Sequence, residues 1–225
     1  MKRRICLFAL CSACLLLTSC DSGTYDSRLN SFLNKEGQAA DVAKTLFESA
    51  TSIPTSGVGL KLPRFFSKDD MQYLTAADAP NAQPPFFTVP GFQWTAEVMP
   101  SSAEKLPFYL YVGVVSADGK KQREVMDGIV KQIKTKFPGT LWKPLSLARE
   151  DGSGQIEFKQ LSIRAKHVFD GSARGGTKVE AGGRCDFYIY STPSHHVLVG
   201  WRVADSVASA LQFTRAVDLA MGTLK

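Results

Sequence analysis

Residues 108–115, Phe-Tyr-Leu-Tyr-Val-Gly-Val-Val, are apolar on both alternating faces: Phe108, Leu110, Val112 and Val114 on one, Tyr109, Tyr111 and Val115 on the other. Side chains alternate across a strand, so no register gives this segment a face suited to water. A strand buried on both sides lies inside a sheet that helices cover on both faces. That requirement governs the reading of the rest of the chain.

Covering helices are legible on either side in sequence. Val125, Met126, Ile129, Val130, Ile133 and Phe137 form a wide stripe that predicts a helix over 121–137, stopped by Pro138-Gly139. Four strand-like pieces follow, at 142–149, 155–169, 179–191 and 196–204. Their joints are short: Glu150 to Gly154, a Gly-rich loop from Gly171 to Gly176, and Thr192-Pro193-Ser194. Connections of this kind make antiparallel meanders. Asp205 or Ser206 is the expected cap of a last helix carrying Val207, Ala210, Leu211, Val217, Ala220, Met221 and Leu224.

Upstream, Ala39, Val42, Ala43, Leu46, Phe47 and Ala50 recur at helical spacing and predict a helix over 38–50. Residues 51–106 read as irregular, broken by Pro63, Pro80, Pro84, Pro85, Pro90 and Pro100, with strands at Val58–Leu62 and Phe92–Val98. Phe65, Phe66, Phe86 and Phe87 sit in these Pro-flanked loops. Packing beneath a long loop is the plainer role for them. The sharper one is an exposed patch for a partner or a small apolar ligand. The fold class is α+β: a central, mostly antiparallel sheet with helices on both faces, in a single domain over residues 38–225.

The chain begins with Lys2, Arg3 and Arg4, then an apolar run from Ile5 to Leu17, then Leu17-Thr18-Ser19-Cys20 and polar Asp21. A charged head, a short apolar middle and a small-residue exit are the layout of a secretory signal. The run is shorter than the roughly 20 residues a spanning helix needs. Leu17, Thr18, Ser19 and Cys20 resemble the lipobox of bacterial lipoproteins, in which the Cys is lipidated and becomes the first mature residue. The resemblance implies a signal peptide over 1–19 and acyl chains, palmitate among them, on Cys20. It places the body in the cell envelope, on the extracytoplasmic side of a membrane. Residues 20–37 then read as a flexible tether, with a short helical turn through Leu29, Phe32 and Leu33.

The signal accounts for much of the charge and cysteine content. Lys2, Arg3 and Arg4 supply half of the formal net charge of +6. Of five cysteines, Cys6, Cys11 and Cys14 leave with the signal and Cys20 is the anchor. Only Cys185 remains, so stability must come from packing and not from an internal disulfide. Cys185 alternates with Phe187 and Ile189, which predicts a buried, inert thiol.

No catalytic signature stands out. The three histidines are His167, His195 and His196, and the last two are strand neighbours that point to opposite faces. No matched ligand spacing suggests a metal, and no cofactor is expected. Ser153 and Ser172 lie in glycine turns without a nucleophile elbow. Gly175-Gly176 and Gly182-Gly183 do not form a phosphate loop. Asp69-Asp70 and Glu150-Asp151 are paired carboxylates in polar loops, where solvation accounts for them. The one asymmetry is that residues 119–184 hold twice as many Lys and Arg as Asp and Glu. Such a bias suits a solvated surface, anionic lipid heads or an acidic partner. Nucleic acid is not an expected partner of an exported protein.

Gly57-Val58-Gly59-Leu60-Lys61-Leu62-Pro63, the strand Val197 to Val203 with Trp201, and the helix from Ser206 resemble the PsbP-like α-β-α sandwich. That family includes photosystem extrinsic subunits and small bacterial lipoproteins, and the resemblance spans roughly residues 45–225. It implies a binding or assembly role, with an unidentified envelope protein as partner, and brings no catalytic residues with it. The function expected is a lipid-anchored, non-catalytic binding domain. The alternatives are a carrier of a small apolar ligand and an envelope hydrolase with dispersed residues.

Overall fold

The computed structural model describes residues 22–66, 71–75, 84, 86–89, 91–98, 106–116, 119–171 and 177–225. The signal segment with Leu17, Thr18, Ser19 and Cys20, the Asp69-Asp70 pair, and Ser172, Gly175 and Gly176 lie outside the described residues. The chain divides into two units, Met1–Asp41 and Val42–Lys225. What is described of the first is helix: α1 runs Ser22–Thr45, with Phe32 and Leu33 exposed on it.

That helix corrects two expectations. Where the sequence predicts a flexible tether to residue 37, the backbone is helical without interruption. Arg28, Leu29, Leu33, Lys35, Glu36, Gln38, Ala39 and Ala40 are all good helix formers; Gly23 falls in the first turn, and Gly37 in the interior costs only about 1 kcal/mol. At the other end α1 stops at Thr45, not Ala50, because Leu46 bridges to Pro63 and the Phe47 amide donates to the Leu62 carbonyl.

A short antiparallel hairpin follows, β1 (Thr51–Ile53) with β2 (Val58–Leu60). Its turn places Thr55 at φ 63° and Gly57 at φ 68°. Buried Ser56 locks it, donating to the Ile53 carbonyl at 2.8 Å and accepting from the Val58 amide at 3.0 Å. The sequence reading anticipated a strand here only from Val58.

The main sheet has seven strands: β3 (Met71–Thr75), β4 (Phe92–Val98), β5 (Phe108–Ser116), β6 (Lys143–Ala148), β7 (Gln155–Asp170), β8 (Lys178–Ser191) and β9 (His195–Ala204). Their order is β3-β4-β5-β9-β8-β7-β6, and every neighbouring pair is antiparallel. The fold is therefore α+β with an antiparallel sheet, as expected. β3 is an addition, in a stretch that reads as irregular. Helix α2 (Gly119–Lys136) joins β5 to β6 and ends before Gly139, which sits at φ 90°.

Register sorts the side chains onto two faces. Leu110 lies opposite Trp201, and Trp201 opposite Asp186, so these share a face with Phe108, Val112, Tyr188 and Val199. On it pack Phe66 and Phe213, with Phe66 5.0 Å from Phe108 and 5.7 Å from Trp201, and Phe213 5.8 Å from Phe108. Tyr109, Arg202, Cys185 and Ile163 fall on the opposite face. There Phe87 meets Phe187 at 4.7 Å, and Phe86 meets both His167 and Phe137, the residue just after α2. Gly200 lies opposite Phe187, and a Cβ on it would come within 2.3 Å of that ring. The double apolarity of β5 is thereby accounted for: Phe108 to Val112 and Val114 are buried on both sides.

The expected last helix is two helices, α3 (Asp205–Ala210) and α4 (Phe213–Met221). Gln212 between them is left-handed at φ 47°. The break restarts the helical period, so Phe213 and Ala216 join the core while Ala210 is exposed. The cap expectation fails as well. The N-cap is Ala204, with no side-chain cap bond, since β9 runs directly into the helix. After α4 the chain end is stitched back: Lys225 exchanges backbone bonds with Gly59, and Thr223 Oγ1 accepts from the Lys61 amide.

Candidate functional site

Strands β7 and β8 place Arg164 and Arg184 directly opposite each other on the face that carries α3 and α4. Like charges at paired positions destabilise a sheet unless other groups compensate. Arg184 is compensated. Its Nε lies 3.2 Å from Asp186 Oδ2 and its terminal nitrogen donates to Thr214 Oγ1 at 2.6 Å. Arg164 is exposed and has no ion-pair or hydrogen-bond partner among the described residues.

Between these strands and the α3–α4 junction lies an open cleft of about 510 Å³. Arg164, Arg184 and Arg215 line it with Asp205, Ser209 and Thr214, and Gln212 and Phe213 complete the lining. The left-handed Gln212 turns the chain so that α4 begins here, and its first turn has no side-chain cap. An uncapped helix start presents amide donors and a partial positive charge. Left-handed backbone in a non-glycine residue costs of order 1–3 kcal/mol and gathers at functional sites.

Beneath the cleft the polar groups are tightly coupled. Asp186 is buried, accepts from Ser162 Oγ at 2.6 Å and faces Arg184. Burial, and then the charge of Asp186, hold the Asp218 carboxyl above its ordinary range. Burial pushes the Tyr188 phenol above its ordinary value, with Asp186 and Asp218 adding to the shift, although Gln160 donates to it at 3.2 Å. This network anchors Arg184 from below and leaves its outer side toward the cleft.

The residues singled out from sequence lie elsewhere. Phe66, Phe86 and Phe87 are buried and Phe65 half-buried, the first pair on one face of the sheet and the second on the other. They form no common patch. Cys185 is buried, and desolvation raises its thiol well above the usual value. His195 and His196 lie at the β8–β9 turn. Ser191 Oγ is 2.7 Å from His196 Nδ1, but burial, and then the charge of Lys159, hold that imidazole below its ordinary value where a Ser-His base wants a carboxylate. Glu150 pairs with Lys61, tying the β6–β7 turn to the segment after β2, and Asp151 Oδ1 accepts the Ser153 amide within that turn. Among the described residues no cluster of His, Cys, Asp and Glu could hold a metal.

His167 is the exception to the bland reading of the histidines. It is buried, its ring is 4.8 Å from Phe86 and 5.8 Å from Phe169, and neither ring nitrogen makes a well-aligned hydrogen bond among the described residues, the Gly183 backbone offering only a smaller, opposing pull toward the protonated form. Desolvation, and then the charge of Arg202, push it down to about 4. The unfolded chain therefore takes up this proton before the folded one does. The His167 contribution to stability is expected to be level above about pH 6.5 and to fall between there and about pH 4, by up to about 3 kcal/mol. Urea unfolding of wild type and His167→Leu across that window checks it. An equal slope in both proteins would place the titration elsewhere.

Sequence reasoning missed the cleft. The basic bias of residues 119–184 contains Arg164 and Arg184, but their pairing needs the β7–β8 register, and Arg215 comes from a helix break that nothing in the sequence marks. No protein-family model matches the chain, and no curated protein is similar to it by sequence.

Proposed function

We propose that this protein is a lipid-anchored binding domain of the bacterial cell envelope. Its body would stand in water beside a membrane, held by acyl chains on Cys20, and its task would be to bind or assemble, not to catalyse. The observation that carries this is the run Leu17-Thr18-Ser19-Cys20 after a charged and then apolar leader. No helix among the described residues is long and apolar enough to cross a membrane. Two or more acyl chains hold a protein stably, at about 0.8 kcal/mol per buried CH₂, where one chain holds it marginally.

The finer fold reading, a PsbP-like α-β-α sandwich, belongs to the same proposal. An antiparallel sheet with α4 packed on one face and the end of α2 reaching the other supports it, as does the N-terminal hairpin. The non-catalytic reading is supported by the Lys159 charge beside the Ser191–His196 contact, where a carboxylate would be wanted. The small-ligand carrier loses its candidate lining, since the Phe pairs are separated by the sheet.

The test is metabolic labelling with radioactive palmitate. Wild type is expected to carry label and enter the detergent phase, and Cys20→Ala to do neither. Wild-type protein that never acquires label would defeat the anchor.

A further inference from the structure

We propose that the cleft formed by Arg164, Arg184 and Arg215 binds a phosphate group, carried on a small organic molecule or on a lipid head. Three features converge on anion binding. Arg164 and Arg184 are forced together by register, and only Arg184 has its charge answered from within the fold. Arg215 comes from the first turn of α4, which carries no side-chain cap, and lines the same space. A planar guanidinium fork matches phosphate oxygens two at a time, and helix starts favour negative charge.

The remaining lining indicates what else the ligand carries. Asp205 also borders the cleft, with its carboxylate over Gly182, and it would repel a bare polyanion. It would accept hydrogen bonds from hydroxyls instead, beside the Ser209 and Thr214 hydroxyls. A volume of about 510 Å³ exceeds one phosphate and lies in the range of small-molecule sites. The chemistry that fits is a phosphate bearing a hydroxylated carbon chain, such as a glycerol phosphate. This goes beyond the envelope reading, and the cleft could bind such a group whether or not Cys20 is acylated.

The experiment uses the full chain in a non-ionic detergent. Glycerol 3-phosphate is titrated by calorimetry, and nanodiscs of phosphatidylglycerol or phosphatidylcholine are presented in a separate arm. Arg164→Gln and Arg215→Gln are each expected to weaken binding tenfold or more while thermal unfolding stays near wild type. Lys166→Gln removes the same charge from an exposed position on β7 outside the cleft, and is expected to change affinity less than threefold. Arginine-dependent binding of glycerol 3-phosphate would identify a soluble ligand. The same dependence seen only with phosphatidylglycerol would identify a lipid head. No binding in either arm, or equal losses in the Lys166 and Arg164 variants, would overturn the proposal. Palmitate labelling reads the anchor independently, so the two readings fail separately.

Discussion

Phe66→Ala is expected to lower the free energy of unfolding by about 3–5 kcal/mol, seen as a lower urea midpoint at an unchanged slope. Phe66 is fully buried where the loop after β2 meets the sheet. Its ring meets Phe108 edge-on at 5.0 Å, Trp201 at 5.7 Å and Phe65 at 5.3 Å. Aromatic pairs of this geometry add about 0.5–1.5 kcal/mol beyond burial. The void could not close easily, because the loop backbone is pinned on both sides. The Arg64 amide donates to the Thr45 carbonyl at 2.8 Å, and the Phe66 amide donates to the Pro63 carbonyl at 2.9 Å. Phe32→Ala, at a position 57% exposed on α1, serves as the comparison and should stay within about 0.5 kcal/mol of wild type. Similar midpoints for the two variants would mean that the 63–66 loop does not pack on the sheet.

The contrast between Phe66 and the cleft arginines marks the boundary of what sequence alone reveals here. From Phe108 onward the strands were legible to within a residue or two, because alternation, doubly apolar runs and turn residues all agree. β1 and β3 were not. They are three and five residues long, in or beside a proline-rich stretch, and short strands leave no period to detect. The helical course of residues 22–37 was lost to composition: Ser, Asn and Asp residues with Gly23 and Gly37 suggest a linker, yet Arg28, Leu29, Leu33, Lys35 and Glu36 among them are good helix formers. Gln212 has no sequence signal for a left-handed backbone, so the division of the last helix was invisible. The same lapse hid the cleft, whose arginines come from three elements and meet only through register and that one turn. Core residues advertise themselves one at a time by pattern. A site assembled by pairing does not.

Removing the Arg184 charge carries the other large effect. Arg184→Met is expected to destabilise the fold by about 3–5 kcal/mol, since it strands the buried Asp186 and adds to the burden on Asp218. Nε of Arg184 faces Asp186 Oδ2 at 3.2 Å without the alignment of a hydrogen bond, so charge holds the pair together. The double variant Arg184→Met with Asp186→Leu removes both charges and is expected to recover most of the loss, because a buried pair replaced whole is often neutral. The pH dependence follows from Asp218. Its carboxyl already sits above its ordinary range, and Arg184 is the group that opposes the rise. A raised carboxyl weakens the fold above its folded-state value and ceases to do so once protonated. The Arg184→Met penalty should therefore shrink as pH falls from 7 toward the acid range, and Asp218→Asn placed on Arg184→Met should shrink it at pH 7. A penalty that is small, or constant with pH, would mean that water already reaches Asp186 and Asp218, and that the base of the cleft is not the dry ionic layer described.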